Sequence, residues 1–232
     1  MMNVTAASIV KNGREKEQNA DRVGAGDVRF ALADGASDAA FPEIWAELLV
    51  WSFLQGRDPF EPSTLSCLRW RWWAKTRPAA PGAAWYSFNK VALGSAATFV
   101  GLTLDTDHRR FTAAAIGDAC LLHLRRKAVI TAGPLNRGDQ FTRTPKTLTT
   151  HAADSAYRAH CTRITGEYLP GDQFVLASDA LAKYLLTKSE HGLLLDLTEL
   201  GDGGPCFEAW VAAARAECRL DNDDTSFCLV EP

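Results

Sequence analysis

Five aspartates stand where apolar stretches of the chain begin or end, a pattern that could perform metal chemistry. Asp34 follows "FALA", Asp118 follows "AAAIG" and Asp179 follows "FVLAS", whereas Asp21 and Asp223 come shortly before apolar stretches. Strand ends can meet at one edge of a sheet, where gathered carboxylates repel one another unless a cation lies among them. Ligand sets made only of oxygen suit Mg²⁺ or Mn²⁺. The pattern therefore favours a divalent-metal centre.

Four of these aspartates also fit an ordinary local role, and those alternatives stay open at this point. The local roles are a tight turn at Asp34-Gly35, a hairpin turn at Gly117-Asp118, a helix cap and first turn at Ser178-Asp179, and a solvated loop over 221–224. A zinc site is disfavoured, because the histidines are scattered and form no ligand pattern with cysteine. The histidines are His108, His123, His151, His160 and His191.

Hydrophobic patterning predicts the elements that would position these carboxylates. The expected strands cover 4–10, 28–33, 96–104, 110–117, 120–126, 161–169, 173–178 and 225–231, and the expected helices 38–54, 65–76, 84–93, 179–187 and 207–218. Strands joined by short turns, then helices, then further strands favour an α+β fold with mainly antiparallel sheets. No repeat or long linker is evident, so we expect a single domain over residues 1–232.

A segment rich in tryptophan and basic residues raises the question of a nucleic-acid surface. Its tryptophans are Trp70, Trp72, Trp73 and Trp85, and its basic residues are Arg69, Arg71, Lys75 and Arg77. Aromatic residues at helical spacing usually pack in the core, and we expect these tryptophans to do so. The formal net charge of −3 argues against a nucleic-acid partner.

Cysteine usage and hydropathy indicate the compartment. The six cysteines form no CxxC pair, which favours free thiols in a reducing compartment. The first residues, "MMNVTAASIVKNG", lack the basic start and long apolar stretch of a targeting segment, and no window approaches a membrane span. We therefore expect a cytoplasmic protein without a membrane partner.

Six short segments, most of which contain one of these aspartates, follow one another along the chain. They are "NAD", "ADGAS", "GSAAT", "GDA", "ASDAL" and "DDTS". Their order and spacing resemble the metal-dependent serine/threonine protein phosphatases of type 2C, and the chain looks most like the compact bacterial branch. The resemblance runs from about residue 4 to the C-terminus. It implies a four-layer α-β-β-α sandwich with two mainly antiparallel sheets, in agreement with the α+β pattern.

The resemblance also implies roles for individual residues. The implied metal ligands are Asp34, which would bridge two ions, Gly35 through its carbonyl, Asp179, Asp223 and, at a third and weaker site shared with Asp179, Asp118. Asp21 matches the acid that orients metal-bound water. The implied cofactors are two Mn²⁺ or Mg²⁺ ions, with a third ion at the weaker site.

The sequence departs from the family pattern at three places. The arginine that usually grips phosphate, five residues before Asp21, is Lys16 here, and Arg14 nearby is the alternative. The Gly-Asp motif continues as Ala119-Cys120 rather than as Ser-Arg, and "SDAL" lacks the usual tryptophan after it. These departures concern substrate binding, whereas the metal-binding acids match the family pattern.

The resemblance implies hydrolysis of phosphoserine and phosphothreonine in phosphoproteins by a metal-activated water, without a protein nucleophile. The expected partners are a phosphoprotein substrate and a cognate serine/threonine kinase, and we expect a monomer. Two alternatives stay open. The first is a catalytically weak relative that binds a phosphoprotein or regulates a kinase. The second is a hydrolase of small phosphoesters, because a fold does not fix its substrate.

Overall fold

The computed structural model of the chain describes residues 2–77 and 91–232, and its strands follow the apolar stretches of the sequence closely. The strands are β1 (Asn3–Ile9), β2 (Arg22–Ala25), β3 (Arg29–Gly35), β4 (Ala96–Asp105), β5 (Arg110–Ile116), β6 (Cys120–Arg125), β7 (Ala128–Gly133), β8 (Leu148–Thr149), β9 (Thr162–Glu167), β10 (Gln173–Ala177) and β11 (Thr225–Glu231).

The helices of the described residues correspond to predicted helices, except for the short helix at Tyr157–His160, which was not predicted. They are α1 (Pro42–Leu54), α2 (Pro62–Thr76), α3 (Tyr157–His160), α4 (Asp179–Glu190) and α5 (Gly204–Ala216), with 3₁₀ turns at Lys16–Gln18, Gly138–Gln140 and Leu197–Leu200. Both α1 and α2 start at a proline, which needs no backbone N–H in the first turn. No helix in the described part of the chain has the length and hydropathy to cross a bilayer.

Two antiparallel sheets form the centre of the fold. The first has the strand order β1-β11-β10-β6-β7, and the second has the order β2-β3-β4-β5-β9, with β8 paired to β4. The inner core between them includes Phe30 and Val100 of the second sheet against Phe174 and Leu176 of the first. A layer this tightly filled fixes one sheet edge relative to the other.

Helices cover the outer face of each sheet. Trp45 and Leu49 of α1 pack with Phe99 of β4 in one apolar cluster, and helices α4 and α5 pack in another cluster with β10 and β11. The layers therefore run helix, sheet, sheet, helix, and the predicted α+β fold, a four-layer α-β-β-α sandwich, is confirmed.

The hairpin turn considered for Gly117-Asp118 is wrong. Strands β5 and β6 lie in different sheets, so Gly117-Asp118 is a crossover between layers rather than a hairpin turn. Strands β9 and β10 are likewise divided between the sheets. The physical reason is that a glycine turn allows either course, and burial of apolar faces on both sheets decides which is taken. Three strands, β2, β7 and the two-residue β8, were not predicted.

The expectation that the tryptophans pack in the core holds only in part. Trp72 is 3% exposed, whereas Trp70 is 65% and Trp73 is 49% exposed. Neighbouring residues on a helix point about 100° apart, so one face of α2 cannot bury all three. The expected helix at 84–93 and Trp85 lie mainly or wholly outside the described residues.

Candidate active site

Strand β4 brings two of the predicted aspartates together. Asp34 at the end of β3 is paired with Thr98 of β4, and Ile116 at the end of β5 is paired with the next residue, Phe99. The crossover after β5 then passes beside Thr98, because a Cβ atom on Gly117 would lie 2.4 Å from the Thr98 Cγ2 atom. With φ at +89°, this position suits only glycine. Asp118 is thereby placed at the same sheet edge as Asp34.

The first sheet contributes two further aspartates from adjacent strand ends. Ser178 follows β10 and donates its backbone N–H to the carbonyl of Ser226 in β11 at 3.0 Å. Asp179 opens α4 directly after this contact, and Asp223 stands two residues before β11 begins. The antiparallel pairing of β10 and β11 therefore places residues that are distant in sequence at one edge.

These four aspartates line one cavity of about 710 Å³, which we call the acidic cavity. Its wall is completed by Gly35, Ser37, Asp38, Thr98, Lys183 and Asp221, and by the segment that includes Phe141, Thr142, Arg143, Pro145 and Thr147. Of the five aspartates that the sequence indicates, Asp34, Asp118, Asp179 and Asp223 line this cavity. Asp21 lies behind it, at 2% exposure.

The carboxylates of the acidic cavity disfavour one another's charge. Burial raises the pKa of Asp34 well above its usual value, and the nearby charges of Asp21, Asp179, Asp118 and Asp223 raise it further. Burial, with the charge of Asp179, also raises the pKa of Asp118 to about 7. A cluster of this kind favours either protonation or a bound cation.

Asp21 is held from one side only. Its Oδ2 atom accepts a hydrogen bond from the Ser226 hydroxyl at 2.7 Å, whereas its buried Oδ1 atom has no hydrogen-bond partner. Burial raises the pKa of Asp21 to about 8, and the charges of Asp224 and Asp179 add to the effect. A buried oxygen without a partner marks a place where a further polar group fits.

Asp179 occupies the first turn of α4, as the sequence predicts, but the neighbouring serine does not cap the helix. The Ser178 hydroxyl instead donates to the carbonyl of Asp224 at 3.3 Å and accepts from the N–H of Ser226 at 2.9 Å. Burial and the charge of Asp223 raise the pKa of Asp179 to about 6. The cap position is thus used to join α4 to β11.

Lys11, which the sequence interpretation missed, reaches the acidic cavity. Its Nζ atom donates to Asp223 Oδ1 at 3.0 Å and to the Ser37 hydroxyl at 2.8 Å, and its side chain is 16% exposed. Asp224, also missed, is buried and accepts backbone N–H groups of Lys11 and Ala20 at 2.9 Å and 2.8 Å. Antiparallel pairing of β1 with β11 creates these contacts. No local sequence motif predicts them.

The predicted phosphate-binding positions lie elsewhere. Lys16, in the 3₁₀ turn Lys16–Gln18, and Arg14 are exposed, and neither lines the acidic cavity. The residue that continues the Gly-Asp motif, Cys120, is fully buried in the core beneath α4 and α5. Its Sγ atom donates to the carbonyl of Asp118 at 3.3 Å, so this departure from the family pattern is a packing feature.

Gly35 has a steric reason to be glycine besides any role toward a cation. A Cβ atom there would lie 2.7 Å from the Pro42 Cβ atom and 2.9 Å from the Ala20 carbonyl oxygen. Both distances are shorter than ordinary contacts, so a side chain would push α1 away from the end of β3. The glycine allows the start of α1 and the segment before β2 to pack close to Asp34.

The donor set fits a hard divalent cation, although the residues form no closed cage. Within residues 2–77 and 91–232, no three carboxylate, imidazole or thiol groups lie close enough to hold an ion by themselves. Mg²⁺ commonly keeps several waters and takes only one or two carboxylates directly. The raised pKa of Asp34 and the unpartnered Asp21 Oδ1 atom agree with a cation and water between these acids.

Sequence comparisons and structure comparisons give different results for this chain. No family model matches the sequence, and no curated protein matches it. Solved structures match over nearly its full length. PppA of Pseudomonas aeruginosa, described as "a key regulatory component of T6SS", has a TM-score of 0.66 at 17% identity, covering 99% of this chain and 97% of its own.

Two matching structures contain divalent ions. The catalytic domain of the serine/threonine protein phosphatase PstP with two manganese ions has a TM-score of 0.62 at 18% identity, covering 99% of this chain and 97% of its own. RsbX in complex with magnesium has a TM-score of 0.52 at 16% identity, covering 99% and 94%. At these identities the likeness shows the fold, so the fold that the motifs implied is confirmed.

Proposed function

We propose that this protein hydrolyses phosphoserine and phosphothreonine in phosphoproteins with the help of Mn²⁺ or Mg²⁺. The observation that carries the proposal is the convergence of Asp34, Asp118, Asp179 and Asp223 on one cavity, in a chain with the fold of serine/threonine phosphatases. Four distant segments have no folding reason to place like charges together. A cation-dependent reaction on an anionic substrate supplies that reason.

In this proposal the acids keep the roles that the resemblance implied. Asp34, the Gly35 carbonyl, Asp179 and Asp223 would hold two ions, and Asp118 with Asp179 would hold a third. Such ions, when bound, lower the pKa of water and offset charge on a phosphoryl group. The Asp21 Oδ1 atom, buried and without a partner, would accept a hydrogen bond from the attacking water and orient it.

The surroundings of the acidic cavity support attack by water rather than by a protein nucleophile. No cysteine lines this cavity, and the nearest thiol in sequence, Cys120, is fully buried. Burial raises the pKa of the Cys120 thiol, which disfavours the thiolate that a nucleophile needs. All six cysteines are free, which supports the further proposal that the protein works in the reducing cytoplasm.

The shape of the surface supports a polypeptide substrate more than a small phosphoester. A second cavity of about 310 Å³ shares Asp118, Thr142 and Pro145 with the acidic cavity, and also contains Lys146 and His160. Together the two cavities offer room beside the phosphate for neighbouring residues of a peptide. The proposed partners are thus a phosphoprotein and the kinase that modifies it, with the protein acting as a monomer.

One observation favours a second candidate, a relative that binds a phosphoprotein or regulates a kinase without efficient turnover. The Lys11 ammonium group occupies Asp223 Oδ1, an atom that would otherwise be available to a cation. The Asp224 N–H donates to the same oxygen at 2.9 Å. A site occupied in this way would hold an ion less tightly.

Hydrolysis of a phosphothreonine peptide, measured with Mn²⁺ and with excess chelator, tests both candidates. We expect turnover with Mn²⁺ and its loss in chelator, because the carboxylates of the cavity repel a phosphate group unless cations lie between them. Full activity in chelator would contradict metal dependence. Peptide binding without turnover would favour the regulatory candidate, and turnover only of small phosphoesters would exclude a phosphoprotein substrate.

A further inference from the structure

A cationic side chain on the wall of the acidic cavity would bind a phosphoryl group alongside any metal ions. Among the described residues, Lys183 and Arg143 line its wall, and Lys11 contacts the wall residues Ser37 and Asp223. Two of them are already engaged. Lys11 binds Asp223 Oδ1 at 3.0 Å and Lys183 binds Asp221 Oδ2 at 2.7 Å. Arg143 is exposed and forms no ion pair within the described residues.

The segment before Arg143 is anchored to α4. The Gln140 Oε1 atom accepts the N–H groups of Asn136 and Arg137 at 2.9 Å and 3.1 Å. The Gly138 N–H donates to Glu190 Oε2 at 3.2 Å. Arg137 also pairs with Glu190. These contacts fix one end of the segment on the helix that begins with Asp179.

The segment after Arg143 is anchored to the second sheet. Leu148 of β8 pairs with Ala97 of β4, and its carbonyl accepts the Trp45 Nε1–H group at 2.8 Å. Before Arg143, Phe141 packs against the apolar cluster beneath α4 and α5. Arg143 therefore extends from a short chain segment held at both ends, on the wall of the cavity that contains Asp34.

We propose that Arg143 binds the phosphoryl group of the substrate, the role that the family resemblance assigns to the position of Lys16. This inference rests on the proposed function and names the residue that gives the acidic cavity its affinity for phosphate. A guanidinium group presents paired donors to two phosphoryl oxygens, which an ammonium group cannot do. Lys16 and Arg14 lie outside the cavity wall, and Lys11 and Lys183 already have carboxylate partners.

The test compares wild type with Arg143→Ala and Arg143→Lys, using two readouts. The first is KM and kcat for a phosphothreonine peptide and for p-nitrophenyl phosphate with Mn²⁺. The second is the affinity of the Mn²⁺-loaded protein for inorganic phosphate, measured by calorimetry. We expect Arg143→Ala to raise both KM values and to weaken phosphate binding by about tenfold or more, the size of a lost charge-assisted contact. Arg143→Lys should recover part of that loss.

Arg110→Ala is the charge-matched control, because Arg110 begins β5 at the strand end opposite Asp118 and is exposed. Its phosphate affinity should equal that of wild type. Unchanged KM and phosphate affinity in Arg143→Ala would overturn the inference, as would loss of phosphate binding in Lys16→Ala alone. The calorimetric readout does not need turnover. Phosphate binding that depends on Arg143 in a protein without activity would reject the proposed phosphatase and keep the phosphate site.

Discussion

The charged form of Asp34 is disfavoured by its surroundings, and no basic side chain of the described residues pairs with it. This residue ends a core strand, and burial together with four neighbouring aspartates disfavours its charge. A turn residue on the surface has no such surroundings. The structure therefore argues that Asp34 is placed for binding, and that its substitution will act oppositely on the metal-free and metal-loaded protein.

We expect Asp34→Asn to raise the melting temperature of the metal-free protein at about pH 8 and to reduce the gain in melting temperature caused by Mn²⁺. The first effect follows from the loss of a disfavoured charge, and the second from the loss of a ligand. Turnover should fall by about 100-fold or more, as when a group that stabilises transition-state charge is removed. Thermal unfolding with and without Mn²⁺ measures the two stability effects on one sample.

Asp107→Asn is the matched control, because Asp107 is exposed in the turn between β4 and β5. It should change neither the metal-free melting temperature nor the response to Mn²⁺. If Asp34→Asn behaves like this control, Asp34-Gly35 is an ordinary turn and the metal-site assignment fails.

Among individual residues of the acidic cavity, the sequence could predict the aspartates but not the basic residues around them. Each aspartate adjoins an apolar strand, which is a local signal. Lys11 meets Asp223 only because β1 pairs with β11, a contact across 212 residues. Arg143 lies in a segment without strand or helix periodicity. Long-range pairing creates these positions, and local patterns in a single sequence do not predict such pairing.

Among the elements, strand and helix types were predictable, whereas sheet membership was not. Hydrophobic periodicity reports which residues are buried, and it gave β4, β5 and β11 nearly their observed bounds. Turn residues report that the chain reverses, but not whether it stays in the same sheet. Asp118 depends on this distinction, because the crossover to β6 places it at the cavity.

Helix α2 offers a direct test of how burial divides its tryptophans. Trp72→Ala should lower the free energy of unfolding by about 3–5 kcal/mol, because it removes a buried indole and leaves a cavity. Trp70→Ala, the matched variant on the exposed face, should change it by less than about 0.5 kcal/mol. Urea unfolding of both variants measures the difference. Equal losses would mean that Trp70 packs against another part of the protein.

The sandwich gathers several acids with raised pKa values at one edge of the molecule. The sign of their effect on the pH dependence of folding stability can therefore be predicted. Folding raises the pKa of Asp179 to about 6, of Asp118 to about 7 and of Asp21 to about 8. In the unfolded chain each lies near pH 4. A raised folded pKa contributes stability that is fully present below the unfolded pKa and is lost as pH rises through the folded pKa.

His123 acts in the other direction. Burial lowers its pKa, although hydrogen bonding to Asp172 opposes the shift. The stability that it contributes is therefore present above about pH 6.5 and declines as pH falls below that value. The full pH profile combines both effects, and a variant is needed to separate the acids of the cavity from this histidine.

We expect the metal-free protein to lose stability between about pH 5 and pH 8 through the cavity acids, and Mn²⁺ to restore more of it at the upper end, because a cation favours the charged carboxylates. Asp21→Asn should flatten this loss, since folding raises the pKa of Asp21 to about 8, at the upper end of this range. Melting temperatures measured across this range with chelator and with Mn²⁺ test the expectation.

Asp172→Asn should leave the cavity-dependent difference between chelator and Mn²⁺ intact, because Asp172 pairs with His123 and Arg125 instead. A metal-dependent gain that is the same at both ends of the range would show that the aspartates do not titrate as a cluster, and the argument for a cation among them would lose its electrostatic basis.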